Sequence, residues 1–303
     1  MNDSPGSSGR LSSLFRPSSA HALRTLWRWV VISRPALWVN TLGPGVVALW
    51  LSGRLWSTDP AWLILLLWLT LPFNLLIYGV NDLADCDEDA LNPRKGGYQG
   101  ARLEHGEALP LARAIAVLNA PFALYFLLET PPSFWAVVFL YTLLFLGYSL
   151  PPLRFKGRPF VDSLSNAAYA LPLAFVPLLF GAVPSTLALP CLMAWSVGKH
   201  AFDAVQDLET DAAAGVRTVA TVLGAARSAL WCGAWFLLSS VLATFLHPLV
   251  GLAILWVSGG LSLKLWREPT PARAARLYPL SILSPWAVGM VAGVLLVAHL
   301  VRG

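Results

Sequence analysis

Charge is what this chain has least of. Only 12% of its 303 residues are Asp, Glu, Lys or Arg, against about a quarter in an ordinary soluble domain. That shortage excludes a water-soluble fold of usual composition. Cysteine is scarce too: Cys86, Cys191 and Cys232 stand far apart, which gives neither a disulfide framework nor a thiolate metal site. Cys191 and Cys232 read as apolar packing. Cys86 lies among acids whose hard oxygens have no use for a soft thiolate. The pattern of a cleaved leader is missing. Residues 1–22 are rich in Ser, Pro, Gly and Arg and read as a disordered tail. The first apolar run, from Trp27, is too long for a signal core. The short alternating segments of a membrane β-barrel are absent as well.

Apolar length is what the chain does have. Hydrophobic residues make up 56% of it, in runs long enough to cross a bilayer core of about 30 Å. The reading is an all-α, polytopic membrane protein. Nine spans are expected, at roughly 27–51, 61–81, 110–128, 133–150, 161–181, 187–207, 228–246, 249–265 and 281–301. Helices are required because a span must satisfy its own backbone polar groups. Pro44, Pro72, Pro172 and Pro177 are expected to bend them. Residues 23–303 then form one transmembrane domain behind a cytoplasmic tail of residues 1–22.

Basic residues test that count. With the N-terminus inside and loops alternating, 19 of the 21 Lys and Arg fall on the cytoplasmic side. Arg54 and Arg302 are the exceptions. A wrong count would scatter them. The C-terminus is therefore expected outside. The net charge of +5 follows from this asymmetry, so membrane lipid is the implied surroundings and no nucleic-acid partner is implied.

Against this background two acidic windows stand out, NDLADCDED at 81–89 and DAVQDLETD at 203–211. They hold nine of the sixteen acids. Both fall at cytoplasmic ends of expected spans, the second and the sixth, where the cost of an intramembrane charge is largely avoided. Asn81, Asp85 and Asp89 are spaced by four, as are Lys199, Asp203, Asp207 and Asp211. On a helix that spacing stacks side chains on one face. Stacked carboxylates repel unless cations bind. Grouped carboxylate and amide oxygens suit Mg²⁺, which commonly binds through one or two carboxylates plus substrate phosphates. Two such ladders facing each other would clamp a diphosphate. Arg94, Lys95, Lys156 and Lys199 are placed to neutralise its oxygens. The plainer alternative is a solvated acidic loop end, which fits Asp87, Glu88 and Glu209 better, since they lie off these faces. Arg158, Arg217 and Arg227 equally serve to enforce topology.

The same residues resemble the motifs of the UbiA superfamily of intramembrane prenyltransferases. The first motif there is Asn-x-x-x-Asp-x-x-x-Asp, often with Asp after the Asn; it is similar to Asn81, Asp82, Asp85 and Asp89. The second is an Asp repeat followed by Gly and Thr; it is similar to Asp203, Asp207, Asp211, Gly215 and Thr218. The stretch YSLPPLRFKGRPFVDSLSN, residues 148–166, and NPRKGG after the first motif resemble the lycopene elongase branch. The resemblance implies nine helices around a central cavity. It also implies transfer of a prenyl group, with Mg²⁺, from a prenyl diphosphate to a lipophilic acceptor. The allylic C–O bond ionises and an electron-rich carbon attacks the cation. A water-poor cavity protects that cation, and aromatic faces stabilise it. Tyr78, Tyr148 and Tyr169 are cavity candidates. Lys199 and Asp82 are catalytic candidates, with Asp82 or a pyrophosphate oxygen taking the proton. Asn40, polar within the first span, either reaches the diphosphate or bonds a neighbouring helix. The implied acceptor is a carotenoid with a C5 donor; an aromatic quinone precursor is the alternative. A membrane transporter and a non-catalytic scaffold are the readings from other classes.

Overall fold

The computed structural model describes residues 19–86, 102–104 and 106–302. Most of the expected tail therefore lies outside the described residues, as do Asp89, Arg94 and Lys95. Within them the chain is helical, and no strand occurs among the described residues.

The first helix, α1 (Ser19–Ile32), begins inside the expected tail. The expected first span does not run on as one helix. Arg34 sits at φ 52°, a left-handed conformation, directly before Pro35, which opens a 3₁₀ turn at Pro35–Leu37. The ring of a proline disfavours helical geometry in the residue before it. α2 (Val39–Leu51) then carries Pro44 inside it.

The second span is also broken, between α3 (Pro60–Trp68) and α4 (Leu71–Ala84), where Pro72 stands in the first turn of α4. The break leaves carbonyls that water cannot reach. Buried Asn74 answers this: its Nδ2 donates to Leu69 O and Thr70 O at 2.8 Å and to Thr41 Oγ1 at 2.9 Å. Thr41 Oγ1 in turn donates to Leu69 O at 2.8 Å. Asn74→Ala would strip the donor while leaving the acceptors in place. We expect it to lower stability in detergent by about 1–3 kcal/mol, read as a fall in Tm. An unchanged Tm would mean the carbonyls find other partners.

α5 (Ala108–Glu129) and α6 (Pro132–Ser149) follow as unbroken apolar helices. Arg28 of α1 grips Glu107, at the start of α5, through Nε and Nη2, both at 3.0 Å. Burial pushes the Glu107 carboxyl up, but these bonds and that from the Glu104 N–H outweigh it and hold it below its ordinary range. The expected fifth span divides into α7 (Val161–Leu164), a 3₁₀ stretch (Ser165–Ala170) and α8 (Pro172–Leu179). α9 (Ala188–Ala204) runs into a 3₁₀ turn (Val205–Asp207) and short α10 (Leu208–Ala213). α11 (Val219–Leu246) is interrupted at Gly224, whose φ of 72° suits a residue without Cβ. α12 (Pro248–Ile254) and α13 (Gly260–Arg267) are joined by a π-turn, and α14 (Pro271–Arg302) closes the chain.

Every expected span thus falls on helix, but the number of crossings is not set by that. Six stretches are long and apolar enough to cross a membrane unaided. The first, fifth and sixth are shorter or interrupted. Two apolar clusters hold the helices together. One centres on Trp68, Phe73, Phe126, Tyr141 and Phe175, with the Phe73 and Tyr141 rings stacked 4.6 Å apart. The other joins α9, α11 and α13 through Phe202, Cys232, Phe236 and Leu265. Gly198 permits this approach: a Cβ there would meet Phe236 at 3.0 Å and the Cys232 carbonyl at 3.1 Å. Outward-facing Leu124, Leu128, Met290 and Val294 are exposed, as lipid contacts require. The protein is an integral membrane protein.

Candidate active site

A cavity of about 910 Å³ opens between α2, α4, α6, α9 and α14. It is lined along α9 from Ala188 to Asp203, which at the helical rise is about 22 Å. The lining changes character along that length. Ala188, Cys191, Leu192 and Trp195 line it near the start of α9, while Ser196, Lys199, His200 and Asp203 line it near the end. α4 and α6 repeat the pattern, with Asn81 and Tyr148 towards their C-terminal ends. The polar end of the cavity therefore gathers the C-terminal ends of three helices. Cations there face helix dipoles of favourable sign.

Asn81, from the first acidic window, and Asp203, from the second, line this one cavity. Tyr78, Tyr148, Tyr169, Asn40 and Lys199 line it too. The Tyr78 and Tyr169 hydroxyls lie 3.3 Å apart. Asn40 Oδ1, Ser196 Oγ and Arg34 Nε are buried without a hydrogen-bond partner. Unpaired polar atoms around a cavity mark where a polar ligand or water completes the bonding.

Asp85, outside the lining, and Asp203, within it, each already hold a lysine. Lys156, from the 3₁₀ turn Phe155–Gly157, pairs with Asp85. Asn81 Nδ2 donates to the other Asp85 oxygen at 2.5 Å. Lys199 pairs with Asp203, whose second oxygen accepts from Ser281 Oγ at 2.6 Å. The second ladder does not stack on one continuous α-helix, and in the first Asp85 stands at the end of α4. α4 ends at Ala84, so Asp85 is its C-cap. The 3₁₀ turn at Val205–Asp207 tightens the chain between Asp203 and Asp211, and three residues per turn no longer superpose positions four apart. Among the described residues, no three of His, Cys, Asp and Glu converge as a ready metal cluster.

Asp82, like Asp85 and unlike Asn81, stands outside the cavity lining. It is 1% exposed. Arg34 Nη2 donates to its Oδ1 at 2.7 Å, and the guanidinium lies 4.6 Å above the Tyr78 ring. A carboxylate held in this way anchors Arg34; it does not face the cavity as a base. Arg34, Asp162, His200 and Ser281 are the polar groups that motif spacing missed. Only the position of Asp162 and His200 beside recognisable motifs pointed towards them.

Comparison with known proteins gives the family. The model of the UbiA prenyltransferase family matches residues 41–284. A lycopene elongase/hydratase of Halobacterium salinarum is 36% identical, over 74% of this chain and 82% of that protein. One of Corynebacterium glutamicum is 33% identical, over 88% of this chain and 95% of that protein. Among solved structures, a UbiA homologue from Archaeoglobus fulgidus bound to DMAPP and Mg²⁺ superposes with a TM-score of 0.66 at 19% identity, covering 87% of this chain and 99% of that one. The family model and the relatives both span most of the chain, so this protein belongs to the UbiA prenyltransferase family and is a prenyltransferase.

Proposed function

We propose that this enzyme transfers a C5 prenyl group from an allylic diphosphate to a carotenoid acceptor, with Mg²⁺ as cofactor. The observation that carries the reading is the two-part cavity: a polar end lined by a residue of each acidic window, Asn81 and Asp203, continued by an apolar part that follows α9 for about 10 Å from Trp195 back to Ala188. A diphosphate fits the first part and the end of a polyene fits the second. The relatives named lycopene elongase/hydratase support this acceptor.

The donor set suits Mg²⁺. Asp85 and Asp203 offer hard oxygens, and lysine ammonium groups already occupy positions where cations are favoured. Asn81, Asp85, Asp203, Asp207 and Asp211 would hold the metal, together with Asp89. When bound, Mg²⁺ draws charge from the diphosphate as its C–O bond breaks. Lys199 lines the cavity and Lys156 pairs with Asp85, next to Asn81; both would turn from carboxylate to phosphate oxygens, steadying the leaving group by charge-assisted bonds. Arg94, Lys95 and Asn40 are proposed to add to this. Tyr78, Tyr148 and Tyr169 present ring faces that stabilise an allylic cation, and the apolar walls keep water away. With the basic loops inside, the polar end opens to the cytoplasm, the N-terminus is cytoplasmic and the C-terminus is outside.

Co-expression with a lycopene pathway, followed by mass spectrometry of the pigments, tests the acceptor. The expected result is carotenoid heavier by one or two C5 units, absent with an empty vector. Unaltered lycopene beside prenylation of an aromatic acid would reverse the choice of acceptor.

A further inference from the structure

Behind the polar end of the cavity lies a carboxylate that prenyl transfer, as described, does not use. Asp162 of α7 is fully buried. Its Oδ2 accepts from the Val219 N–H at 2.9 Å, while Oδ1 is buried without a hydrogen-bond partner. His200 Nε2 lies 3.8 Å from Oδ2 and 3.5 Å from the Tyr148 hydroxyl. The two rings stand edge to face, 5.7 Å apart at 86°. His200 and Tyr148 line the cavity; Asp162 stands behind them. A half-satisfied buried carboxylate is costly. A neighbouring imidazole that can take up a proton relieves that cost.

The other ionisable groups lining the cavity serve poorly as a base. Arg34 and Lys199 are cations, Asp203 is held by Lys199 and Ser281, and Tyr78, Tyr148, Tyr169 and Tyr278 are neutral phenols. Cys191 donates towards Ser239. An imidazole, basic near neutral pH, is suited to the task. A proton on Nε2, 3.8 Å from Asp162 Oδ2, leaves the lone pair on Nδ1.

We propose that His200, oriented by Asp162, accepts the proton lost at the end of the transfer. This deepens the prenyl-transfer reading and rests on it. The π pair of an acceptor double bond forms the new C–C bond to the allylic carbon, leaving a tertiary carbocation on the acceptor. A C–H bond next to that centre breaks. Its electron pair becomes the new double bond, and its proton goes to Nδ1. The imidazolium is then paired with Asp162 and releases the proton to water before the next turnover.

The test uses the full-length protein in proteoliposomes with dimethylallyl diphosphate and lycopene, following pyrophosphate and pigments together. His200→Gln should lower pyrophosphate release far less than it lowers the elongated alkene. The elongated alkene should fall by about 100-fold, replaced by a hydroxylated product of water capture. Asp162→Asn keeps an oxygen for the Val219 N–H and removes the charge beside the imidazole. It should shift the acid limb of alkene formation to lower pH, which a merely structural role would not do. An unchanged product mixture in His200→Gln overturns the proposal, as does an equal loss of pyrophosphate and alkene in a variant of wild-type Tm. A wild type that releases no pyrophosphate overturns the prenyl-transfer reading beneath it.

Discussion

Asp85→Asn is expected to lower pyrophosphate release by about 10²–10³-fold, the usual scale for removing one preorganised electrostatic contact to a developing charge. The reason is local. Asp85 caps α4, accepts from Asn81 and pairs with Lys156. The substitution takes a charge from the centre of that group without changing its size. Asp207→Asn should act similarly from the second window. Chelation of divalent cations should match either variant, and added Mg²⁺ should restore the wild type but not the variants. Release within about threefold of wild type in Asp85→Asn or Asp207→Asn would sink the metal-holding role given to that residue.

Arg34→Met should produce the largest loss of stability, about 3–5 kcal/mol, because it removes the guanidinium from a buried carboxylate. Asp82 is almost wholly buried and accepts from Arg34 at 2.7 Å. Methionine restores some of the stem's packing but none of its charge. Adding Asp82→Asn to the same chain should recover much of the loss, since the surviving amide is neutral. Thermal unfolding in detergent measures both. Equal Tm for wild type and Arg34→Met would show that the pair contributes nothing. Recovery of Tm in the double variant without recovery of pyrophosphate release would place Arg34 in the diphosphate site as well.

Much of the site was legible because its features are local. Asn81 and Asp85 are spaced so that one turn brings them into a hydrogen bond, and they make it. Lys199 and Asp203 meet by the same spacing. The reading overreached where it extended a helix through its own end. In the second window Asp207 closes a 3₁₀ turn, so four-residue spacing there no longer means a shared α-helical face. Asp82 read as a motif residue and a candidate base. Its partner is Arg34, on a different segment, held in a left-handed turn before Pro35. No window of sequence contains both ends of that contact.

Apolar run length and the placement of Lys and Arg were enough to determine a helical membrane protein, because the bilayer constrains each segment separately through length, backbone satisfaction and charge. The acidic windows pointed to divalent-cation and diphosphate chemistry for a similar reason: hard oxygens at short spacing have few other uses. Tertiary packing alone decided that Asp82 holds Arg34 and Asp85 holds Lys156, which helices pause where, and that His200 stands between Tyr148 and Asp162. Those outcomes depend on how distant side chains fill one another's space, and a linear pattern carries no term for that.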